Sequence, residues 1–337
     1  MAPSELTCDC SETIVKAHTI SRSRSLKMIS REGFVYAIKT DLVKFNKQGS
    51  RFAFALNTIK AASTFRGFCK PHDESIFAYI EKDIFQHDIQ SYFLLGYRGL
   101  CREIYTNSSS VELGNNPLSK RLKELAAKEL YSHKKEHDRI LLSKRYDDVR
   151  SLVITLDQIP PVMTSFSIYP DIDFSDKIIQ DLELANGLEL DKIKVKEASD
   201  DEIEIDEKFK KIMLKFNSEF FRIPDVITCN SFHDGEVGKI AFTWLKSSEN
   251  SCIPFIDGLQ NISQTDLPAY LLQFFFGYSE NCFIDPNWWE ALLPKQRTLI
   301  ENHHNECVKS TKPNYSFFPD WANIPHPNIV KTESIKW

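Results

Sequence analysis

Cys69-Lys70-Pro71-His72-Asp73 lies at the point where the chain changes from a strand-like to a helical pattern. Residues 52–68, which precede it, are half apolar and predict a hairpin or another pair of strands. Beyond it, apolar side chains recur at helical spacing at Ile76, Phe77, Ile80 and Ile84. Asp73 occupies the position expected of an N-cap. The stretch therefore predicts a helix that opens with two soft metal ligands, Cys69 and His72, directly after a strand.

A second pair of candidate ligands, Cys8 and Cys10, stands near the start of the sequence. Two close pairs of soft ligands, far apart along the chain, are typical of a tetrahedral zinc site, because each pair holds one side of the ion. Cys8, Cys10, Cys69 and His72 therefore predict a structural zinc, and His18 is the replacement if only one of Cys8 and Cys10 binds. The alternative is that Cys8 and Cys10 are ordinary residues and that Cys69 is a buried thiol.

His18 ends a strand-like segment, residues 13–17, and is followed by Thr19-Ile20-Ser21-Arg22-Ser23. A strand, a histidine and then a ligand pair at the start of a helix, with another cysteine pair upstream, resembles the HNH (His-Me finger) endonucleases over residues 8–85. Ala17 stands where that family usually has an acidic residue.

The resemblance implies a treble-clef fold, a nucleic-acid substrate and His18 as the general base. It also implies a catalytic divalent cation such as magnesium in addition to the structural zinc, and Arg22, Arg24 and Lys27 as the residues that bind phosphates. The alternative for His18 is a structural role or a place among the zinc ligands.

Charge is distributed unevenly along the 337 residues. Residues 1–72 contain 12 Lys and Arg against 5 acidic residues, a charge of +7, whereas the remainder carries −12. A basic segment on an acidic body indicates contact with a polyanion, either DNA or RNA. A solvated surface that happens to be basic is the competing interpretation.

The rest of the pattern predicts an α+β protein in three parts. These are a zinc-stabilised, treble-clef-like module at 1–85, a helical segment at 86–149 and an acidic α+β domain at 150–337. Further helices are predicted at 86–105, where Gly96 and Gly99 weaken the pattern, at 118–144, and at 267–276 and 286–308. The helix at 118–144 carries mixed charges and is expected to face solvent or a partner. Further strands are expected at 152–156, 161–168, 193–196, 226–230 and 239–245, and an irregular tail at 313–327.

Several classes of function are disfavoured. The chain has neither a glycine-rich phosphate-binding loop nor a GxSxG elbow. The longest apolar run, residues 267–278, is interrupted by Pro268 and Gln273 and is too short to cross a bilayer. With no export signal and eight scattered cysteines, we expect a reducing, cytoplasmic location and no membrane contact.

The preferred function is thus a nucleic-acid-directed zinc protein, an HNH-like metal-dependent nuclease that acts in a bacterial antiviral defence or toxin-like system. The alternative is a non-catalytic interaction subunit, in which zinc is purely structural and the C-terminal domain binds a protein partner. The aromatic cluster around Trp288 and Trp289 is expected to be core, with a partner-binding cleft as the alternative. The segment His303-His304-Asn305-Glu306-Cys307 is expected to be an exposed polar helix.

Overall fold

The computed structural model describes residues 12–40, 52–81, 85–111, 117–171, 179–180, 223–310 and 314–336. Cys8 and Cys10 and the predicted strand at 193–196 lie outside these ranges. Ten strands are described: Ile14–His18 (β1), Phe34–Thr40 (β2), Phe52–Thr58 (β3), Thr64–Cys69 (β4), Val149–Leu156 (β5), Val162–Ile168 (β6), Ile227–His233 (β7), Gly238–Leu245 (β8), Cys282–Ile284 (β9) and Ile329–Lys336 (β10). The described α-helices are Lys70–Phe77 (α1), Ile89–Val111 (α2), Pro117–Ser143 (α3), Glu249–Gln260 (α4), Leu267–Tyr278 (α5), Pro286–Ala291 (α6) and Pro294–Lys309 (α7).

Eight of these strands form one antiparallel sheet in the order β10-β5-β8-β7-β6-β9-β2-β3. Every residue of the central strands β7 and β8 is buried, because helices cover both faces of the sheet. Phe255 of α4, Phe274 of α5 and Ile300 of α7 belong to the core on one face. The core on the other face includes Phe93 of α2 and Ile140 of α3.

Helix α2 lies very close to the sheet because two glycines face it. A Cβ atom on Gly96 would lie 2.5 Å from Thr228 Oγ1, and one on Gly99 would lie 2.7 Å from Ser165 Oγ. The helix predicted from residue 86 is therefore confirmed, with a start at Ile89, and the two glycines that weakened its pattern serve its packing.

Helix α3 confirms the predicted long charged helix, and Lys135 and Arg139 on it are exposed as expected, but one of its ion pairs is buried. Lys134 donates hydrogen bonds to both carboxylate oxygens of Asp138, at 2.7 and 3.0 Å, and both side chains are fully buried. The hydroxyl of Tyr97 in α2 donates to the same carboxylate at 2.6 Å. This one i,i+4 ion pair therefore forms part of the α2–α3 contact.

Strands β1 and β4 form a separate two-stranded antiparallel sheet that leads directly into α1, so that the three elements make a ββα unit. Residues 52–68 do hold two strands, but they do not pair with each other: β3 pairs with β2, and β4 pairs with β1. Between β1 and β2, Arg22–Leu26 forms a single π-helical turn.

The α+β class is confirmed, and the sheet is antiparallel. Strands β2 and β3, from the segment predicted as module 1–85, lie in the same sheet as strands from 150–337. The division into independently folding parts stays a prediction. The proposed boundary at residue 85 separates strands that belong to one sheet. No helix in the described part of the chain is long and apolar enough to cross a membrane.

Two details of the C-terminal pattern are wrong. The single helix predicted at 286–308 is interrupted between Ala291 and Pro294, which gives α6 and α7. Residues 319–323 of the predicted irregular tail form a 3₁₀ turn, and strand β10 follows the tail and pairs with β5.

Candidate functional site

Cys69 and His72 lie together at the start of α1. Cys69 is the last residue of β4 and is buried, and the helix begins at the next residue. The Cys69 Sγ and His72 Nδ1 atoms form a hydrogen bond at 2.9 Å, so the two soft donors are direct neighbours at the helix start. The expectation that Asp73 is the N-cap is wrong, since Asp73 lies within the first turn and accepts a hydrogen bond from Arg98 at 3.2 Å.

The register of the small sheet shows which end of β1 lies beside Cys69. Ile14 of β1 lies opposite Cys69 of β4. Cys10 precedes Ile14 by four residues, which an extended chain spans in about 13–14 Å. Cys8 and Cys10 lie outside the described residues, so the zinc site stays a prediction, whose donor set of three sulfurs and one nitrogen suits zinc.

His18 lies at the opposite end of the same two-stranded sheet. It is paired with Thr64, five residues before Cys69 along β4, which corresponds to roughly 16 Å at the rise of a strand. Ligands of one zinc ion lie within about 2.0–2.3 Å of the metal. This register does not bring His18 to a zinc held by Cys69 and His72, and so favours a separate role for His18.

The half-buried imidazole of His18 is oriented by a backbone carbonyl. Its Nε2 atom lies 3.2 Å from the carbonyl oxygen of Ile59, which only accepts, so Nε2 carries the proton and donates. Burial lowers the pKa of His18 below 6.5, and the positive charges of Arg22 and Arg98 lower it further. The hydrogen bond to Ile59 and the negative charge of Glu81 raise the pKa but do not cancel this decrease. At neutral pH the ring is neutral and Nδ1 bears the lone pair, as a general base requires.

The three predicted phosphate-binding residues differ in exposure. Arg22 and Lys27 are exposed at the surface, on and directly after the π-helical turn. Arg24 is partly buried: its guanidinium donates to the carbonyl of Ile80 at 3.1 Å and lies 5.9 Å from the ring centre of Phe85. Two of the three are therefore placed for contact with a polyanion, and the third turns inward.

Arg24 turns into a small cleft, with a cavity volume of about 20 Å³, that sequence reasoning missed. The cleft is lined by Thr19, Ile20 and Ser21, which directly follow His18, together with residues of α2 and β7. Arg98 of α2 and Asn230 of β7 are buried polar members of its lining, with 2% and 3% of their surfaces exposed.

Arg98 joins the ββα unit to the rest of the fold. Its guanidinium contacts Asp73 at 3.2 Å and Glu81 at 2.8 Å, and lies 4.1 Å from the ring centre of Phe77. All three partners belong to α1 or to the turn that follows it. A sequence signal was available, because a charged residue between Tyr97 and Leu100 in a mainly apolar helix indicates a buried, paired charge.

Within the described ranges, no group of three or more His, Cys, Asp or Glu side chains is arranged to hold a metal ion. The expected catalytic divalent cation therefore stays a prediction without assigned ligands.

Two C-terminal features belong to the core. Phe274, Phe275, Phe276 and Trp289 are buried in the main cluster, which confirms core packing as the role of the aromatic cluster. The expectation of an exposed polar helix at residues 303–307 is wrong. His303 and His304 are buried against α5, where they bond to the carbonyls of Gln273 and Phe276 at 3.1 and 2.7 Å.

Comparison of the chain with models of protein families, with curated proteins and with solved structures finds no match. Function has to be inferred from the residues and the geometry of this chain.

Proposed function

We propose that this chain is a nucleic-acid-directed protein of the His-Me finger type, in which a zinc-stabilised ββα unit presents His18 as the general base of a metal-dependent endonuclease. The observation that carries the proposal is the position of His18 at the end of β1, in a sheet with β4 that leads into α1. A strand that ends in an oriented histidine, then a second strand and a helix, is the order that the resemblance implies.

The zinc part of the proposal rests on donor chemistry and reach. Cys69 Sγ and His72 Nδ1 are direct neighbours at the helix start, and Ile14 of β1 pairs with Cys69. In this arrangement zinc would be held by Cys8, Cys10, Cys69 and His72. The metal would tie the start of β1 to α1 and so stabilise the unit.

His18 would act on the water that attacks the phosphodiester. Its Nδ1 lone pair takes a proton from that water as the new phosphorus–oxygen bond forms, while the Ile59 carbonyl holds Nε2–H and keeps the ring in the required tautomer. A divalent ion, when bound, would stabilise the departing oxygen. Arg22 and Lys27 lie in the adjacent turn, where exposed cations attract neighbouring phosphates.

We further propose a cytoplasmic setting and an effector role in a bacterial defence or toxin-like system. The eight scattered cysteines support the cytoplasmic setting, and the resemblance alone supports the effector role. The competing function, a non-catalytic interaction subunit, loses its principal surface candidate, because Trp289 is buried and Trp288 donates to the carbonyl of Pro325 at 2.9 Å.

The test is cleavage of end-labelled DNA and RNA, with magnesium or manganese, by the full chain and by His18→Ala. A general base contributes about 10²–10⁴-fold to rate, so the variant should lose at least a hundredfold in cleavage while it retains its zinc content and nucleic-acid affinity. His326→Ala is the matched control, since His326 lies outside the ββα unit, close to the start of β10.

Full cleavage by His18→Ala would remove His18 from the mechanism. If the wild-type chain binds neither DNA nor RNA at low salt, the nucleic-acid assignment is wrong and the interaction-subunit function replaces it.

A further inference from the structure

Two buried hydrogen-bond donors line the cleft beside His18 and have no partner in the protein. They are the Nδ2 group of Asn230 and the Nε group of Arg98. The rest of the Arg98 guanidinium is occupied by Asp73 and Glu81. Asn230 stands on the face of β7 that also carries Thr228, the residue that contacts Gly96 of α2.

Unpartnered donors are costly in a folded protein. Leaving a buried donor without an acceptor costs about 1–3 kcal/mol, and more than nine in ten buried polar groups find a partner. Two such donors that line one cleft indicate that an acceptor from outside the chain belongs there.

The chemistry of that acceptor is limited by the charges and by the shape of the cleft. Arg24 adds a guanidinium to the lining, and the carboxylate of Glu81 is paired with Arg98, so that positive charge and N–H groups face the incoming group. The cleft is small, with a cavity volume of about 20 Å³, which favours a compact group. Oxygens of an oxyanion satisfy both conditions, because they accept from several N–H donors at once.

We infer that this cleft is a phosphate subsite, in which Asn230, Arg98 and Arg24 bind the non-bridging oxygens of a phosphate group in the strand on which His18 acts. This inference rests on the proposed nuclease function for the identity of the phosphate. The cleft is lined by the residues that directly follow His18, so the bound phosphate belongs to a nucleotide that neighbours the one attacked.

The central test is Asn230→Asp, which keeps the side-chain volume but replaces the donor with a negative charge. Binding of a fluorescent 12-nucleotide single strand, as DNA and as RNA, should weaken by ten- to a hundredfold. Asn261→Asp is the control, because it makes the same change of charge at an exposed position just after α4. In parallel, inorganic phosphate should raise the melting temperature of the wild-type chain and of Asn261→Asp, and leave that of Asn230→Asp unchanged.

The possible outcomes are distinct. Wild-type affinity and wild-type phosphate stabilisation in Asn230→Asp would overturn the subsite while leaving the nuclease proposal intact. If phosphate raises the melting temperature of the wild-type chain but not of Asn230→Asp, and the wild-type chain binds no oligonucleotide, the phosphate site is supported and the proposed nuclease function is overturned.

A second variant covers the case in which Asn230→Asp does not fold. Arg24→Gln removes the charge at a partly buried position and retains an amide that can donate to the Ile80 carbonyl. It should weaken oligonucleotide binding by about tenfold or more, and unchanged affinity would count against the subsite.

Discussion

Replacement of Arg98 by Met should lower the free energy of unfolding by about 2–3 kcal/mol. The guanidinium is 2% exposed, whereas its two partners, Asp73 and Glu81, are 21% and 47% exposed in their side chains. Removing one member of a fully buried ion pair costs about 3–5 kcal/mol, and an exposed pair contributes about 0–1 kcal/mol. Because the two carboxylates regain water when Arg98 is lost, the expected cost lies between these limits. The contact with the Phe77 ring, at 4.1 Å, adds to it.

Urea denaturation followed by circular dichroism measures this change, with Lys331→Met as the control. Lys331 pairs with Glu333 at 2.7 Å on the exposed face of β10, with 61% of its side chain accessible, so its loss should change stability by less than about 0.5 kcal/mol. Hydrogen exchange should show faster opening of α1 in Arg98→Met, because Arg98 of α2 contacts Asp73 and Phe77 of α1. A loss below 1 kcal/mol, with α1 protected as in the wild type, would refute the role of Arg98 as the link between the ββα unit and the rest of the fold.

Three further predictions concern charge, pH and packing. Neutralising Arg22, Arg24 and Lys27 together should weaken binding to DNA or RNA. It should also reduce the magnitude of the slope of log affinity against log salt concentration by about 2–3. An unchanged slope would exclude phosphate contacts by these residues. Burial lowers the pKa of His137 from 6.5 to about 4, so the unfolded chain takes up this proton first as the pH falls. The contribution of neutral His137 to stability is therefore complete above pH 6.5 and is lost between pH 6.5 and 4, which amounts to roughly 3 kcal/mol. His137→Gln should flatten the dependence of the unfolding free energy on pH over this range. An unaltered pH profile would contradict this prediction. Gly96→Ala should destabilise the protein by about 1–3 kcal/mol in chemical denaturation despite the better helix propensity of Ala, because its Cβ would meet Thr228 Oγ1; a more stable variant would show that α2 has room to move away.

The local order of the ββα unit could be predicted from the sequence because each of its signals lies within a few residues. Residues 13–17 predict a strand, Pro71 stands in the first turn of the helix that follows Cys69, and apolar spacing marks the body of that helix. His18 at the end of one strand and Cys69 with His72 at the start of a helix followed from the same signals. Only the N-cap was misassigned.

The choice of strand partners could not be predicted, because it depends on contacts between distant parts of the chain. Strand β3 resembles β4 in composition, yet its Phe54 ring packs 5.5 Å from Phe276 and 5.0 Å from Trp289, more than two hundred residues away. These contacts hold β3 in the large sheet and leave β4 to pair with β1. No local sequence pattern distinguishes β3 from β4 in this choice of sheet.

Burial of charge was the other failure of sequence reasoning. Lys134 and Asp138 have the i,i+4 spacing of an exposed ion pair, and their burial follows from contact with Tyr97 on a different helix. His303 and His304 likewise follow polar neighbours, but carbonyls of α5 satisfy their rings in the interior. The cleft residues Arg98 and Asn230 were missed for the same reason, since they come together only when α2 packs on β7.

X-ray absorption at the zinc edge, on the purified full chain, tests the central claim most directly. A zinc held by Cys8, Cys10, Cys69 and His72 predicts one metal ion per chain with three sulfur ligands at about 2.3 Å and one nitrogen ligand at about 2.0 Å. That result would leave His18 outside the metal site and available as a base. A chain without zinc, or a zinc with two histidine nitrogens that loses one of them in His18→Ala, would contradict the account.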